Sequence, residues 1–211
     1  MVGILITGGE KPPKNQLKTI IQKNWIVIAA DSGMDYANEA GIEVSYCVGD
    51  MDSIMDESVL DSMEEEQVIR FPKKKDDTDT EIGLRMLQER GCGKTIIWGA
   101  GGGRMDHFLA VYSLFDRENA PDEWYTAMEH MVLIDGRFRS RKLKDKRISL
   151  FPLGSSECRM TSLGLKWSLD ELVWNKGDFG ISNIVDSDEL EINMKTGKIL
   201  MIYDIDGGNR P

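Results

Sequence analysis

Residues 48–53 read Val48-Gly49-Asp50-Met51-Asp52-Ser53, two aspartates one residue apart at the end of an apolar run. If the backbone stays extended through the pair, Asp50 and Asp52 point to one side, because side chains alternate faces in a strand. Two carboxylates aimed at one point repel unless a cation lies between them, and Mg²⁺ carrying a nucleotide's phosphates is the usual partner. The competing reading makes Asp52 the cap of a following helix. Asp-x-Asp alone does not separate the two.

Three more polar stretches carry residues of the same kind: Asp31-Ser32-Gly33, Lys75-Asp76-Asp77-Thr78-Asp79 and Gly102-Gly103-Arg104-Met105-Asp106-His107. Asp31 reads equally as a helix N-cap or as a site residue. Thr78 and Glu81 fit a capping box, which leaves Asp76, Asp77 and Asp79 unexplained. Lys73-Lys74-Lys75 is by default a solvated basic run, but Lys75 abuts the acids and is placed to meet phosphate. The Gly99–Gly103 stretch lacks the Gly-Lys-Ser/Thr ending of a Walker loop and the spacing of a dinucleotide fingerprint. It offers backbone N–H groups to an anion, with Arg104 at the mouth of a helix. Of the two histidines, His107 gains weight from these neighbours, whereas His130 reads as packing or surface. No Ser/His/Asp or Cys/His arrangement stands out, so covalent catalysis is not expected.

Strands and helices alternate through the first half. Strands are expected at Ile4–Thr7, Trp25–Ala30, Tyr46–Val48, Gln67–Phe71 and Thr95–Trp98. Helices are expected at Asn15–Lys23, Met34–Ala40, an acidic stretch near Asp56–Glu66, Asp79–Arg90, and Met105 to about Arg117. Phe108, Leu109, Val111, Tyr112 and Phe115 form the apolar face of the last. Such repetition implies a parallel α/β sheet, and each polar stretch then follows a strand or its exit loop. Exits of parallel strands gather along one sheet edge, where ligands bind. The texture changes after Asn119-Ala120-Pro121-Asp122. Strand-like runs at Met131–Ile134, Phe138–Leu143, Ile148–Leu153, Glu171–Trp174, Glu189–Met194 and Lys198–Ile205 imply an antiparallel β-sandwich, with Lys195-Thr196-Gly197 as a hairpin loop. The expected domains are therefore 1–122, α/β, and 123–211, β-sandwich.

The 211-residue chain carries a net charge of −10, which argues against sequence-independent nucleic-acid binding. A bound metal can still supply local positive charge for a nucleotide. Cys47, Cys92 and Cys158 are far apart and odd in number, so neither a zinc site nor a disulfide framework is expected, and reduced thiols point to the cytoplasm. The N-terminal run is too short for a signal or a membrane span and reads as a first strand.

Taken together and in order, these four stretches resemble the thiamine pyrophosphokinase (thiamine diphosphokinase) family: Asp31-Ser32-Gly33, Gly49-Asp50-Met51-Asp52-Ser53, Lys75-Asp76-Asp77-Thr78-Asp79-Thr80-Glu81 and Gly102-Gly103-Arg104-Met105-Asp106-His107. Gly164-Leu165-Lys166-Trp167 and Ile181-Ser182-Asn183 look like its later motifs. Ser32 stands where glycine is common, and Met51 where an aromatic is common. The resemblance implies an ATP- and Mg²⁺-binding catalytic domain, 1–122, and a thiamine-binding, dimerising domain, 123–211. It implies Mg²⁺-dependent transfer of the pyrophosphoryl group of ATP to the hydroxyl of thiamine, with release of AMP. Asp50, Asp52 and Asp79 would hold Mg²⁺ and, with Lys75, do the catalytic work. Asp31, Asp76, Thr78, Gly102, Arg104, Asp106 and His107 would meet ATP. Trp167, Ser182 and Asn183 would meet thiamine at the interface of a homodimer; a buried core Trp or a plain turn would explain them equally. The competing classes are a metal-dependent glycosyl- or nucleotidyltransferase and a non-catalytic nucleotide-binding module. Neither explains all four loops.

Overall fold

A computed structural model of the chain describes residues 1–72 and 76–205. It divides into two units, Met1–Val111 with Trp124–Ala127, and Tyr112–Glu123 with Met128 onward.

Five strands build the first unit, all but the edge strand β4 largely buried: β1 (Val2–Ile6), β2 (Ile26–Ala30), β3 (Tyr46–Gly49), β4 (Val68–Arg70) and β5 (Lys94–Trp98). All their pairings are parallel, in the order β5-β1-β2-β3-β4. Continuous apolar runs such as Ile26–Ala30 suit a sheet covered on both sides. Helices α1 (Lys14–Ile20) and α2 (Gly33–Ala40) bury Leu17, Met34 and Ala37 in one core with Ile4, Ile6, Val27 and Ala29. Helix α3 (Asp79–Glu89) lies on the opposite face, where Gly83 backs onto Leu5 and Leu87 onto Gly3. Crossovers from β1 to β3 thus run one way and the α3 crossover returns to β5. The direction reverses between β1 and β5, and the crevice outside their carboxyl ends is the expected ligand position in such a sheet.

The second unit packs two antiparallel layers. One contains β7 (Glu129–Ile134), β9 (Arg147–Leu153), β12 (Gly180–Ile184) and β14 (Lys198–Asp204) in the order β12-β9-β14-β7. The other is β11-β10-β13-β8, from β8 (Arg137–Ser140), β10 (Cys158–Leu163), β11 (Val173–Trp174) and β13 (Leu190–Thr196). Inward residues of both layers, including Ile148, Leu150, Ile199 and Met201 from one and Met160, Leu190 and Ile192 from the other, form a single core. The expected class, parallel α/β followed by an antiparallel sandwich, is the one the chain adopts.

Several local expectations need correction. The acidic stretch is not an α-helix but two 3₁₀ turns, Glu57–Ser62 and Glu65–Gln67. Glu57, Asp61 and Glu65 recur every four residues, so an α-helix would stack like charges. Helix α4 (Met105–Leu114) stops short of Arg117, because Asp116 turns away to accept from the Gly154 N–H at 2.6 Å and from Lys176 Nζ at 2.8 Å. Leu109, assigned to its apolar face, is 54 % exposed. Lys195-Thr196-Gly197 is not a hairpin loop: β13 pairs with β10 and β8, whereas β14 pairs with β7 and β9. The turn passes the chain between layers, so the buried alternations on either side of it face one core from opposite sheets. Strands β6 (Glu123–Tyr125), β10 and β12 were not anticipated.

Candidate active site

The acidic site begins where β2 and β3 end. Asp31 follows β2 with φ 45°, and its N–H donates to Val48 O at 3.0 Å, which fixes it beside the end of β3. It does not cap α2; Ser32 holds the N-cap position and makes no side-chain cap bond. The Asp31 carboxylate instead lies over Gly49, where an added Cβ would stand 1.8 Å from Oδ1. Its Oδ1 accepts from the Met51 N–H at 3.2 Å.

The strand does not continue through the aspartate pair. Met51 has φ 65°, so Asp50 and Asp52 are not alternate residues of one strand, and the expectation that extension aligns them is overturned. Asp50 Oδ1 accepts from the Asp52 N–H at 3.1 Å, while Asp56, not Asp52, caps the following 3₁₀ turn. The turn is tied to α2 at two points: Ser53 Oγ accepts from the Ser32 N–H at 3.2 Å, and Asp35 Oδ2 accepts from the Met55 N–H at 3.0 Å.

Asp79 enters from the first turn of α3. That helix start is held by the expected capping box, in which Thr78 Oγ1 accepts from the Glu81 N–H at 3.2 Å and Glu81 Oε2 accepts from the Thr78 N–H at 2.9 Å. Asp79 stands close enough to the Asp31 side chain to act on its charge. Burial pushes the Asp31 carboxyl up to about 6, with the Asp79 charge next in weight and the Asp50 charge adding to it. Asp31, Asp50 and Asp79 therefore share one electrostatic neighbourhood, although 48 residues separate the first from the last. Carboxylate oxygens are the ligands a hard divalent cation needs. Among the described residues, no three His, Cys, Asp or Glu side chains are gathered tightly enough to hold a metal as they stand.

The remaining first-unit candidates separate. Lys75 lies outside the described residues. Asp76 is exposed, and Asp77, just before the α3 N-cap, pairs with Arg85 Nη1 of that helix at 2.6 Å. The glycine loop is less open to an anion than expected: the Gly99, Ala100 and Gly101 amides donate to Tyr125 O, Gly8 O and Glu10 O. Gly102 and Gly103 continue it in the left-handed region. Arg104 is exposed and forked onto Asp106, with Nε 3.1 Å from Oδ1 and Nη2 2.5 Å from Oδ2. Asp106 Oδ1 also accepts from the His107 N–H at 3.0 Å, so Asp106 orients Arg104 at the start of α4. His107 is exposed.

One polar residue at the β1–β5 reversal carried no sequence signal. Lys11 donates to Gly9 O at 3.0 Å and stands 5.2 Å from the centroid of the Tyr36 ring. Burial lowers its ammonium pKa, against the opposing charges of Asp35 and Glu39. Tyr36 donates to Pro12 O at 2.6 Å and accepts from Trp98 Nε1 at 3.2 Å, fastening this loop to the end of β5.

In the second unit, Trp167 is 54 % exposed, so the core reading of that side chain is overturned. Asn183 is buried and accepts from the Trp167 N–H at 3.2 Å while donating to Trp167 O at 2.7 Å. Ser182 has φ 60° and donates its N–H to Ser149 Oγ at 3.3 Å. Ser149 lines a cavity of about 250 Å³ with Glu129, Arg147, Phe151, Ile202, Tyr203 and Asp204. His130 is packing, as read: it lies between Glu123 Oε2 at 2.9 Å and the Tyr203 hydroxyl at 2.6 Å.

Comparison with known proteins adds to this geometry. Residues 17–121 match the family described as "Thiamin pyrophosphokinase, catalytic domain", and residues 135–199 match "Thiamin pyrophosphokinase, vitamin B1 binding domain". A thiamine pyrophosphokinase of Bacillus subtilis (strain 168) is 26 % identical over 172 residues, covering 79 % of this chain and 80 % of the relative. The crystal structure of thiamine pyrophosphokinase from Bacillus subtilis superposes with a TM-score of 0.84 at 22 % identity, over 98 % of this chain and 100 % of that one. A probable thiamine pyrophosphokinase from Staphylococcus saprophyticus gives 0.68 at 28 % identity, over 98 % and 100 %.

Proposed function

Since this chain belongs to the thiamine pyrophosphokinase family, we propose that it transfers the pyrophosphoryl group of ATP to the primary hydroxyl of thiamine, releasing thiamine diphosphate and AMP. The observation that supports the reaction type is the Asp31 carboxylate seated over Gly49 where β2 and β3 end, with the charges of Asp79 at the α3 start and of Asp50 acting on it. Transfer to a hydroxyl depends more on charge neutralisation and alignment than on a strong nucleophile, and the first unit supplies those means.

Asp50, Asp52 and Asp79 are assigned to Mg²⁺, and Asp31 joins them on the strength of its closeness to Asp79. When bound there, Mg²⁺ would neutralise the triphosphate. Arg104, oriented by Asp106, meets phosphate oxygens, and Lys75 is its partner cation. Thr78, which caps α3, meets the nucleotide together with Asp76, Gly102 and His107. Residues 1–122 are the catalytic part and 123–211 the thiamine-binding and dimerising part. Trp167 offers a ring to the flat cationic substrate, with Asn183 holding its backbone and Ser182 beside it. Phe179 and Ile181, 59 % and 61 % exposed, support a homodimer with thiamine at the subunit interface. Three buried free cysteines agree with a cytoplasmic enzyme. Among the described residues, no helix is long and apolar enough to cross a membrane.

The purified protein, given Mg²⁺, ATP and thiamine, is expected to form thiamine diphosphate and AMP in equal amounts by chromatography. Formation of ADP, or no turnover with Mg²⁺ or Mn²⁺, would overturn the reading.

A further inference from the structure

We propose that Met51 is a positioning residue for the acidic site: its buried side chain anchors a left-handed turn whose backbone N–H holds the Asp31 carboxylate toward Asp79. The inference rests on the Mg²⁺–ATP reading above and adds a residue that touches neither substrate nor metal.

Met51 is 1 % exposed, yet it stands between Asp50, which is half-buried, and Asp52, which is exposed. Its thioether is packed in the first-unit core, and the Cys47 thiol donates to its sulfur at 3.7 Å. The backbone takes φ 65°, a conformation an L side chain rarely adopts, so something must hold it there. The core contact supplies that hold, since releasing the turn would draw an apolar side chain into water.

The turn then serves Asp31 in two ways. Gly49 leaves open the volume its carboxylate fills, and the Met51 N–H bonds Oδ1 at 3.2 Å. Asp31 is itself at φ 45°. Two uncommon backbone conformations from separate strands thus meet at one hydrogen bond, and that bond aims the carboxylate. Groups that orient a metal-binding carboxylate without touching the metal typically change its affinity by about 10–100-fold when lost.

The test compares Met51→Ala, Met51→Leu and Leu17→Ala, the last in the same core but on α1. For each, the Mg²⁺ concentration that half-saturates turnover and the Mg²⁺-induced rise in melting temperature are measured. Met51→Ala is expected to weaken both responses by about 10–100-fold in Mg²⁺ concentration, and Met51→Leu to restore most of the loss. Leu17→Ala is expected to lower the melting temperature with the wild-type Mg²⁺ response intact. A Met51→Ala protein that melts lower but keeps the wild-type Mg²⁺ dependence would overturn the inference. Should it fail to fold, Met51→Val, which keeps more apolar volume than alanine but strains the turn, takes its place. Absence of thiamine diphosphate formation by the unaltered protein would instead overturn the functional reading, which the melting comparison does not use.

Discussion

Asn183 grips the backbone of Trp167 from both sides, accepting from its N–H at 3.2 Å and donating to its carbonyl at 2.7 Å. The amide is buried while the indole it serves is exposed. A side chain that satisfies both backbone groups of one residue fixes where the ring stands, with Lys166 Nζ 4.8 Å from its centroid. Asn183→Ala removes both bonds, with an expected cost of about 1–3 kcal/mol in stability. It should also raise KM for thiamine more than KM for ATP. Trp167→Ala should raise KM for thiamine with little change in melting temperature. Urea unfolding and steady-state kinetics of the two variants check the contrast.

Gly49→Ala places a methyl group 1.8 Å from Asp31 Oδ1, at a backbone φ of 139° that disfavours side chains. The carboxylate must leave its seat. Misplacement of a catalytic group by about 1 Å typically costs on the order of 100-fold in rate, so turnover should fall at least that far. Circular dichroism should still show a folded chain. Activity within threefold of the unaltered protein would show that Asp31 works equally well elsewhere.

Arg104 and Asp106 are both exposed, so neither Arg104→Ala nor Asp106→Asn is expected to shift the melting temperature measurably. Kinetically they should differ. Arg104→Ala removes the phosphate contact itself and should lower kcat/KM for ATP by about 100-fold. Asp106→Asn loosens one fork of the guanidinium and should lower it less. Equal losses in both variants would mean that Asp106 meets the substrate directly.

The three thiols set an alkaline limit on stability. Burial pushes Cys47 up to about 12, with the Asp31 charge adding to it, and burial also raises Cys92 and Cys158. An unfolded cysteine ionises near about 8.5, so above that pH the unfolded chain loses protons the folded chain keeps. Stability is then full below about pH 8.5 and falls as pH rises toward 12, by up to about 1.4 kcal/mol per pH unit for each thiol held neutral. Urea midpoints between pH 8 and 11 should decline accordingly. A flat profile would contradict the assignment.

Much of the first unit was legible because buried parallel strands are written as continuous apolar runs and helix starts as capping residues. Thr78 and Glu81 behave as their spacing indicates, and the four polar stretches do follow strands. Which acids meet was not legible. Alternation predicts side-chain direction only while the backbone stays extended, and the positive φ of Met51 ends that before Asp52 is reached. Asp31 was readable as a cap or a site because the choice depends on Gly49, whose missing side chain has meaning only once β2 and β3 are paired. In the second unit, β12 was missed since its residues do not alternate inward and outward by polarity, and Ser182 breaks its register. The turn at Gly197 looks like a hairpin in sequence because two strands facing one core carry the same inward alternation whether they share a sheet or not.

The most direct test of the account follows the β-phosphate of ATP. With ATP labelled at the β position, thiamine and Mg²⁺, the label should appear in thiamine diphosphate, and the unlabelled nucleotide product should be AMP. A label retained in ADP, with only the γ-phosphate moved, would contradict pyrophosphoryl transfer.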